Sequence, residues 1–108
     1  MVLNGHDHTY ARGHVPVTAS DTSKTGDLKT LYVTSVSGPK QYKLDTEQIG
    51  TYAADGYQPD KLGEQTQFFQ VISINENTLT YVAYTTLGDE YDRAVITKNF
   101  ESGKKTLK

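Results

Sequence analysis

Apolar and polar residues alternate most regularly in the last third of the chain. Positions 67–74, 78–86 and 90–98 are three runs rich in β-branched and aromatic residues, separated by Asn75-Glu76-Asn77 and by Leu87-Gly88-Asp89. Runs of this composition bounded by turn residues predict strands, and connections this short predict antiparallel hairpins, so 67–98 reads as a β-meander. In the middle run Leu79, Tyr81 and Ala83 share one face, and Thr80, Val82 and Tyr84 share the other. Neither set is strongly polar, which predicts cover on both faces.

Upstream the pattern is more broken. Residues 31–36 are β-branched and aromatic and predict a strand stopped by Gly38-Pro39; the Ser, Thr, Lys, Gly and Asp of 21–29 predict an exposed turn before it. The apolar Met1-Val2-Leu3, followed by Asn4-Gly5, predicts the end of a buried strand opening into a loop within 1–13. Between 43 and 66, Gly50, Gly56, Pro59 and Gly63 lie among polar residues with no sustained period, which predicts a long loop. Loops of this length are usually functional or disordered, so the alternatives for this one are a cover over the active site of a parent protein and disorder in the isolated chain. The charged stretch 101–108 is expected to fray. The fold class that results is mainly β for the isolated chain, an antiparallel meander plus short strands.

Composition narrows the function classes. A chain of 108 residues suits one domain, and with 35% hydrophobic residues it can bury only a modest core. A mean hydropathy of -0.60 agrees. The 11 basic and 13 acidic residues are spread over both halves, leaving no basic stripe for a nucleic-acid backbone, so no nucleic-acid partner is expected. With no cysteine there is neither a disulfide nor a thiolate metal site, and His, Asp, Glu and Asn remain as metal ligands. No apolar run is long enough for a membrane span, and no signal-peptide pattern precedes the first motif.

That motif is Gly5-His6-Asp7-His8. In extended backbone, residues i and i+2 point the same way about 6.6 Å apart, at about 3.3 Å per residue. Zinc–nitrogen bonds are about 2.0 to 2.1 Å, so His6 and His8 converge on one ion only if the backbone bends. They more easily serve two neighbouring ions, which sit about 3.5 to 4 Å apart in binuclear hydrolytic sites. Asp7 points the other way and is not a ligand in that geometry.

The segment Val2-Leu3-Asn4-Gly5-His6-Asp7-His8-Thr9-Tyr10-Ala11-Arg12 resembles the last signature of the calcineurin-like metallophosphoesterases. Within them it is similar to the purple acid phosphatase-like branch, which has an apolar strand, GHxH and often an aromatic-x-Arg. The stretches 33–40, 78–81 and 90–92 also look like the C-terminal portion of bacterial members. The resemblance implies a binuclear centre of iron, zinc or manganese in which His6 binds one ion and His8 the other, hydrolysing phosphate monoesters. The ions would generate a hydroxide nucleophile and stabilise an in-line displacement. It further implies Tyr10 and Arg12 as residues beside the ligands, fixing imidazole orientation or approaching the substrate, and an extracytoplasmic location.

The family's upstream motifs, of the DxH or DxG, GDxx(D/Y) and GNH(D/E) types with an earlier lone His, are absent, and Asp21, Asp27, Asp55 and Asp60 lack their neighbours. Two imidazoles do not satisfy two ions that each want four or more ligands. The expectation is a C-terminal piece of a longer α/β metallophosphatase sandwich, inactive alone, with the metals bound only in the parent. Such a piece is expected to self-associate through 1–4 or through an exposed face of the meander. The alternative is a non-catalytic β-sheet accessory or binding module in which the His-x-His is incidental.

Other residues have plainer readings. His14 is expected to be solvent-exposed or weakly hydrogen-bonded, and Arg12 is as well read as a cation pairing a carboxylate. Most of the eight tyrosines are expected to pack on β positions rather than line a groove. Lys40 is expected to face water. Asp89, Glu90 and Asp92 are expected to be solvated acids beside a turn.

Overall fold

The computed structural model describes residues 1–4, 9–18, 20, 23, 26–35, 56–63 and 66–108. Eight strands form among them: β1 (Val2–Asn4), β2 (Tyr10–Pro16), β3 (Gly26–Thr34), β4 (Gln58–Gly63), β5 (Phe68–Asn75), β6 (Thr78–Thr85), β7 (Glu90–Lys98) and β8 (Lys105–Leu107). The chain is mainly β, with no helix among the described residues, and no helix is long and apolar enough to cross a membrane. The strands make one open sheet in the order β4-β2-β3-β8-β7-β6-β5, with β1 also paired to β3. Every pairing is antiparallel except β1 with β3.

The long strand β3 makes this one sheet rather than two. Its first residues pair with β8, Gly26 opposite Leu107, while Tyr32 to Thr34 pair with β1 and the other edge carries β2. The sheet therefore curls, and its two halves pack face to face around Tyr10, Leu31 and Val33 from one side and Phe68, Tyr81, Ala83, Ala94 and Ile96 from the other. The shortest dimension, 19 Å, is that of two sheet layers about 10 Å apart with their outer side chains.

The meander is as the alternation predicts. β5 and β6 pair from Phe68/Thr85 to Asn75/Thr78 across the two-residue turn Glu76-Asn77, where Glu76 takes a φ of 53°. Tyr81 and Ala83 are buried on one face of β6 and Val82 on the other, so both faces have cover.

Several expectations are corrected. The stretch 101–108 does not fray, because Lys105–Leu107 adds β8 between β3 and β7 and buries Leu107. The 43–66 loop contains a strand, β4, whose Pro59, Asp60, Lys61 and Gly63 are poor strand formers tolerated at a sheet edge; 43–55 and 64–65 lie outside the described residues. The exposed turn gives way at Gly26 to β3, which runs to Thr34. Val2 and Leu3 do form a strand, but an exposed one that, among the described residues, has a parallel neighbour on one side only.

Candidate functional site

The inward face of β2 carries Tyr10, Arg12 and His14 in phase with Leu31 and Val33 of β3. An arginine and a histidine facing an apolar core need partners, since a charge left unpaired there costs several kcal/mol. Two β-bulges help supply them. Where β4 pairs with β2, Lys61 lies opposite Arg12 and Pro59 opposite Gly13, so Asp60 is the extra residue. Where β7 pairs with β6, Asp92 lies opposite Ala83 and Glu90 opposite Tyr84, so Tyr91 is the extra residue. Bulges re-aim side chains in this way.

The result is a closed polar network in the core. Arg12 grips Asp92 with two hydrogen bonds, Nε to Oδ2 at 2.6 Å and Nη2 to Oδ1 at 3.0 Å. The Tyr10 hydroxyl donates to Asp92 Oδ2 at 2.6 Å, and the Arg93 amide donates to Oδ1 at 2.9 Å. Because Tyr10 gives its only hydroxyl proton to the carboxylate, Tyr81, 3.1 Å away, donates to the Tyr10 oxygen. On the β4 side Asp60 Oδ2 lies 2.7 Å from His14 Nδ1 and 3.5 Å from Arg12 Nη1. Asp60 Oδ1 is buried without a hydrogen-bond partner among the described residues. Aromatic rings seal the cluster: Tyr10 packs on Phe68 and, edge-on, on Tyr91, whose hydroxyl donates to the Leu62 carbonyl at 2.8 Å. Above Gly13 the Tyr57 ring lies so close that a Cβ there would fall 2.1 Å from Cζ.

The electrostatics follow from burial. Tyr10 is pushed far above the usual phenol value by burial and then by its bond to Asp92. Burial, and next the negative charge of Asp60, push Tyr57 up to about 12. Burial raises Tyr81 and Tyr91 as well. Burial, the largest influence, pulls the Arg12 guanidinium down, but the hydrogen bonds to Asp92 and the negative charges of Asp92 and Asp60 together leave it above its ordinary value.

This corrects the plainer readings of three residues. His14 is buried and bonded to Asp60, Asp60 sits in a strand, and Asp92 is a core carboxylate rather than a solvated turn acid. The missed signal was phase: Asp92, Ala94 and Ile96 alternate onto one face of β7, and Tyr10, Arg12 and His14 onto one face of β2. Arg12 does pair a carboxylate, and Tyr10 is wholly buried. Both spend their polar atoms within the network.

The predicted ligands His6 and His8 lie outside the described residues, as do Asp21, Lys40 and Asp55. Their flanks are described. β1 ends at Asn4 opposite Thr34, and β2 pairs Ala11 with the same Thr34 from the other side of β3. Asn4 and Ala11 thus lie on opposite flanks of β3, and Tyr10 and Arg12 tie β2 to Asp92.

Among the described residues no group of three or more His, Asp or Glu side chains could hold a metal ion. Asp92 is saturated by Arg12, Tyr10 and Arg93, and Asp60 Oδ2 by His14 and Arg12. No protein-family model, curated protein or solved structure matches the chain.

Proposed function

We propose that the chain is the C-terminal part of a metal-dependent phosphoesterase of the purple acid phosphatase-like type. His6 and His8 each give an imidazole to a binuclear centre of iron, zinc or manganese that hydrolyses phosphate monoesters. The observation that carries this reading is Gly5-His6-Asp7-His8 following directly on a parallel strand. β1 and β3 end side by side at Asn4 and Thr34, so the motif leaves the sheet where these two parallel strands finish. The remaining ligands come from outside the described residues. Tyr10 and Arg12 serve the site by anchoring the strand that leaves the motif, not by touching substrate.

The second reading, a non-catalytic β-sheet module, is favoured by one observation: Tyr10 and Arg12 are consumed by internal bonds. One pair of experiments separates the two. Given zinc, manganese or iron, the 108-residue chain is expected to release no nitrophenol from nitrophenyl phosphate. The reading frame upstream of Met1 is expected to encode about two hundred residues, on the scale of a further domain, carrying Asp, Asn and His motifs. Its full product is expected to hydrolyse the ester and to lose that activity in His6→Ala and His8→Ala. Metal-dependent turnover by the chain alone would overturn the claim that it holds only part of the site. A stop codon directly upstream would favour the module.

A further inference from the structure

One row of apolar residues crosses four strands near the rim of the inner face. Ile74 lies opposite Leu79, Leu79 opposite Ile96, and Ile96 opposite Leu107. Two residues further along β7 and back along β8, the same phase sets Lys98 directly opposite Lys105. Two ammonium groups therefore stand on neighbouring strands at the end of an apolar row, and like charges directly opposite in a ladder are destabilising. Lys105 donates to the Lys29 carbonyl at 2.6 Å, which uses one of its three N–H groups. Neither lysine pairs with a carboxylate among the described residues, whereas the adjacent Lys104 pairs with Asp27 at 3.2 Å.

The row borders a cleft of about 200 Å³. Ile74, Leu79 and Ile96 line it, Leu28 of β3 and Met1 join them, and Phe100 flanks it from the turn before β8. Ile74 is 73% exposed and Phe100 71%, so apolar surface beside the cleft is left for an occupant to cover. Lys98 and Lys105 line the same cleft, and Glu76 is the single carboxylate among its described lining residues, so the side-chain charge there is positive. A mostly apolar cleft with a few convergent charged groups is the usual form of a small-molecule site. At roughly 30 Å³ for each water-sized group, it has room for about seven such groups.

We infer that this cleft binds a single-chain anionic amphiphile, an alkyl carboxylate of about six to eight carbons. Its tail lies on the floor made by Ile74, Leu79 and Ile96, and its carboxylate sits between the ammonium groups of Lys98 and Lys105. Charge selects the occupant: an uncharged chain leaves the two opposed lysines as they are, a cation adds to their repulsion, and an anion between them removes it. Size sets the chain length through the volume of the cleft. The floor and both lysines belong to β5, β6, β7 and β8, so the site stands apart from the phosphoesterase reading. A ligand of this size, with one charged head, has a Kd on the order of 1 mM.

Titration of the 108-residue chain with octanoate, followed by NMR, tests this. The methyl signals of Ile74, Leu79 and Ile96 are expected to shift along one saturable curve. From hexanoate to octanoate Kd is expected to fall about fourfold for each added methylene. Octyltrimethylammonium, with the same tail and the opposite charge, is expected to leave those signals in place. Lys98→Glu, at an exposed position, turns the like-charged pair with Lys105 into an opposite-charged one. That variant is expected to keep or raise the urea midpoint while weakening octanoate binding at least about tenfold. No shift at about 20 mM octanoate, well above that Kd, equal binding of the cationic amphiphile, or unchanged affinity in folded Lys98→Glu would each overturn the inference.

Discussion

Asp92 accepts hydrogen bonds from Arg12, from Tyr10 and from the Arg93 amide, and each donor is left without its partner when the carboxylate goes. Breaking a buried pair from one side costs about 3 to 5 kcal/mol, because the surviving charge stays uncompensated. Asp92→Ala is expected to lose that much stability in urea unfolding, and Asp92→Leu combined with Arg12→Met is expected to lose less than Asp92→Ala alone. The tyrosines give a pH dependence of definite sign. Tyr10, Tyr57, Tyr81 and Tyr91 are raised above the unfolded value of about 10, so their contribution is complete below that pH and is lost as pH climbs through the folded values, about 12 for Tyr57. Ultraviolet titration is expected to show an early group of tyrosines and a late group that ionises only as the β-sheet signal collapses; ionisation of all together on an intact fold would refute it. Gly13→Ala drives a methyl into the Tyr57 ring and is expected to cost about 1 to 3 kcal/mol, with part recovered in the double variant with Tyr57→Ala. None of these pairings is legible residue by residue. Arg12 and Asp92 are 80 positions apart, and an acid beside a turn looks solvated until its phase with Ala94 and Ile96 is weighed.

At the level of elements, legibility tracks how locally each strand is specified. β5, β6 and β7 were readable because β-branched and aromatic residues alternate along them and two short turns fix their pairing. β4 and β8 were not. β4 is held by its long-range ladder with β2, which lets an edge strand accept Pro59 and a bulge at Asp60. β8 is three residues, Lys105–Leu107, held between β3 and β7 by partners far back in the chain. Its one core residue, Leu107, is 2% exposed. Leu107→Ala is therefore expected to cost about 2 to 5 kcal/mol, as for a core leucine, read from the shift in urea midpoint at unchanged slope. A fraying terminus would shift nothing.

Across the whole molecule, the shared strand β3 brings the polar face of β2 against β6 and β7, and the same strand carries β1 and the motif that follows it. The fold class was legible because β-branched and aromatic runs separated by short turns fill 67–98 and recur at 31–36; the curl was not, since it depends on β3 pairing with strands from both halves. The proposed metal role of His6 and His8 rests on this frame, and on that reading the 108-residue piece holds only part of the donor set, so the measurement belongs to the full reading-frame product. Its metal content after purification is the direct readout. The account predicts about two ions per molecule, a lower content in His6→Ala and in His8→Ala, and no loss in His14→Ala, whose imidazole is bonded to Asp60. Unchanged metal content in both His6→Ala and His8→Ala would contradict it.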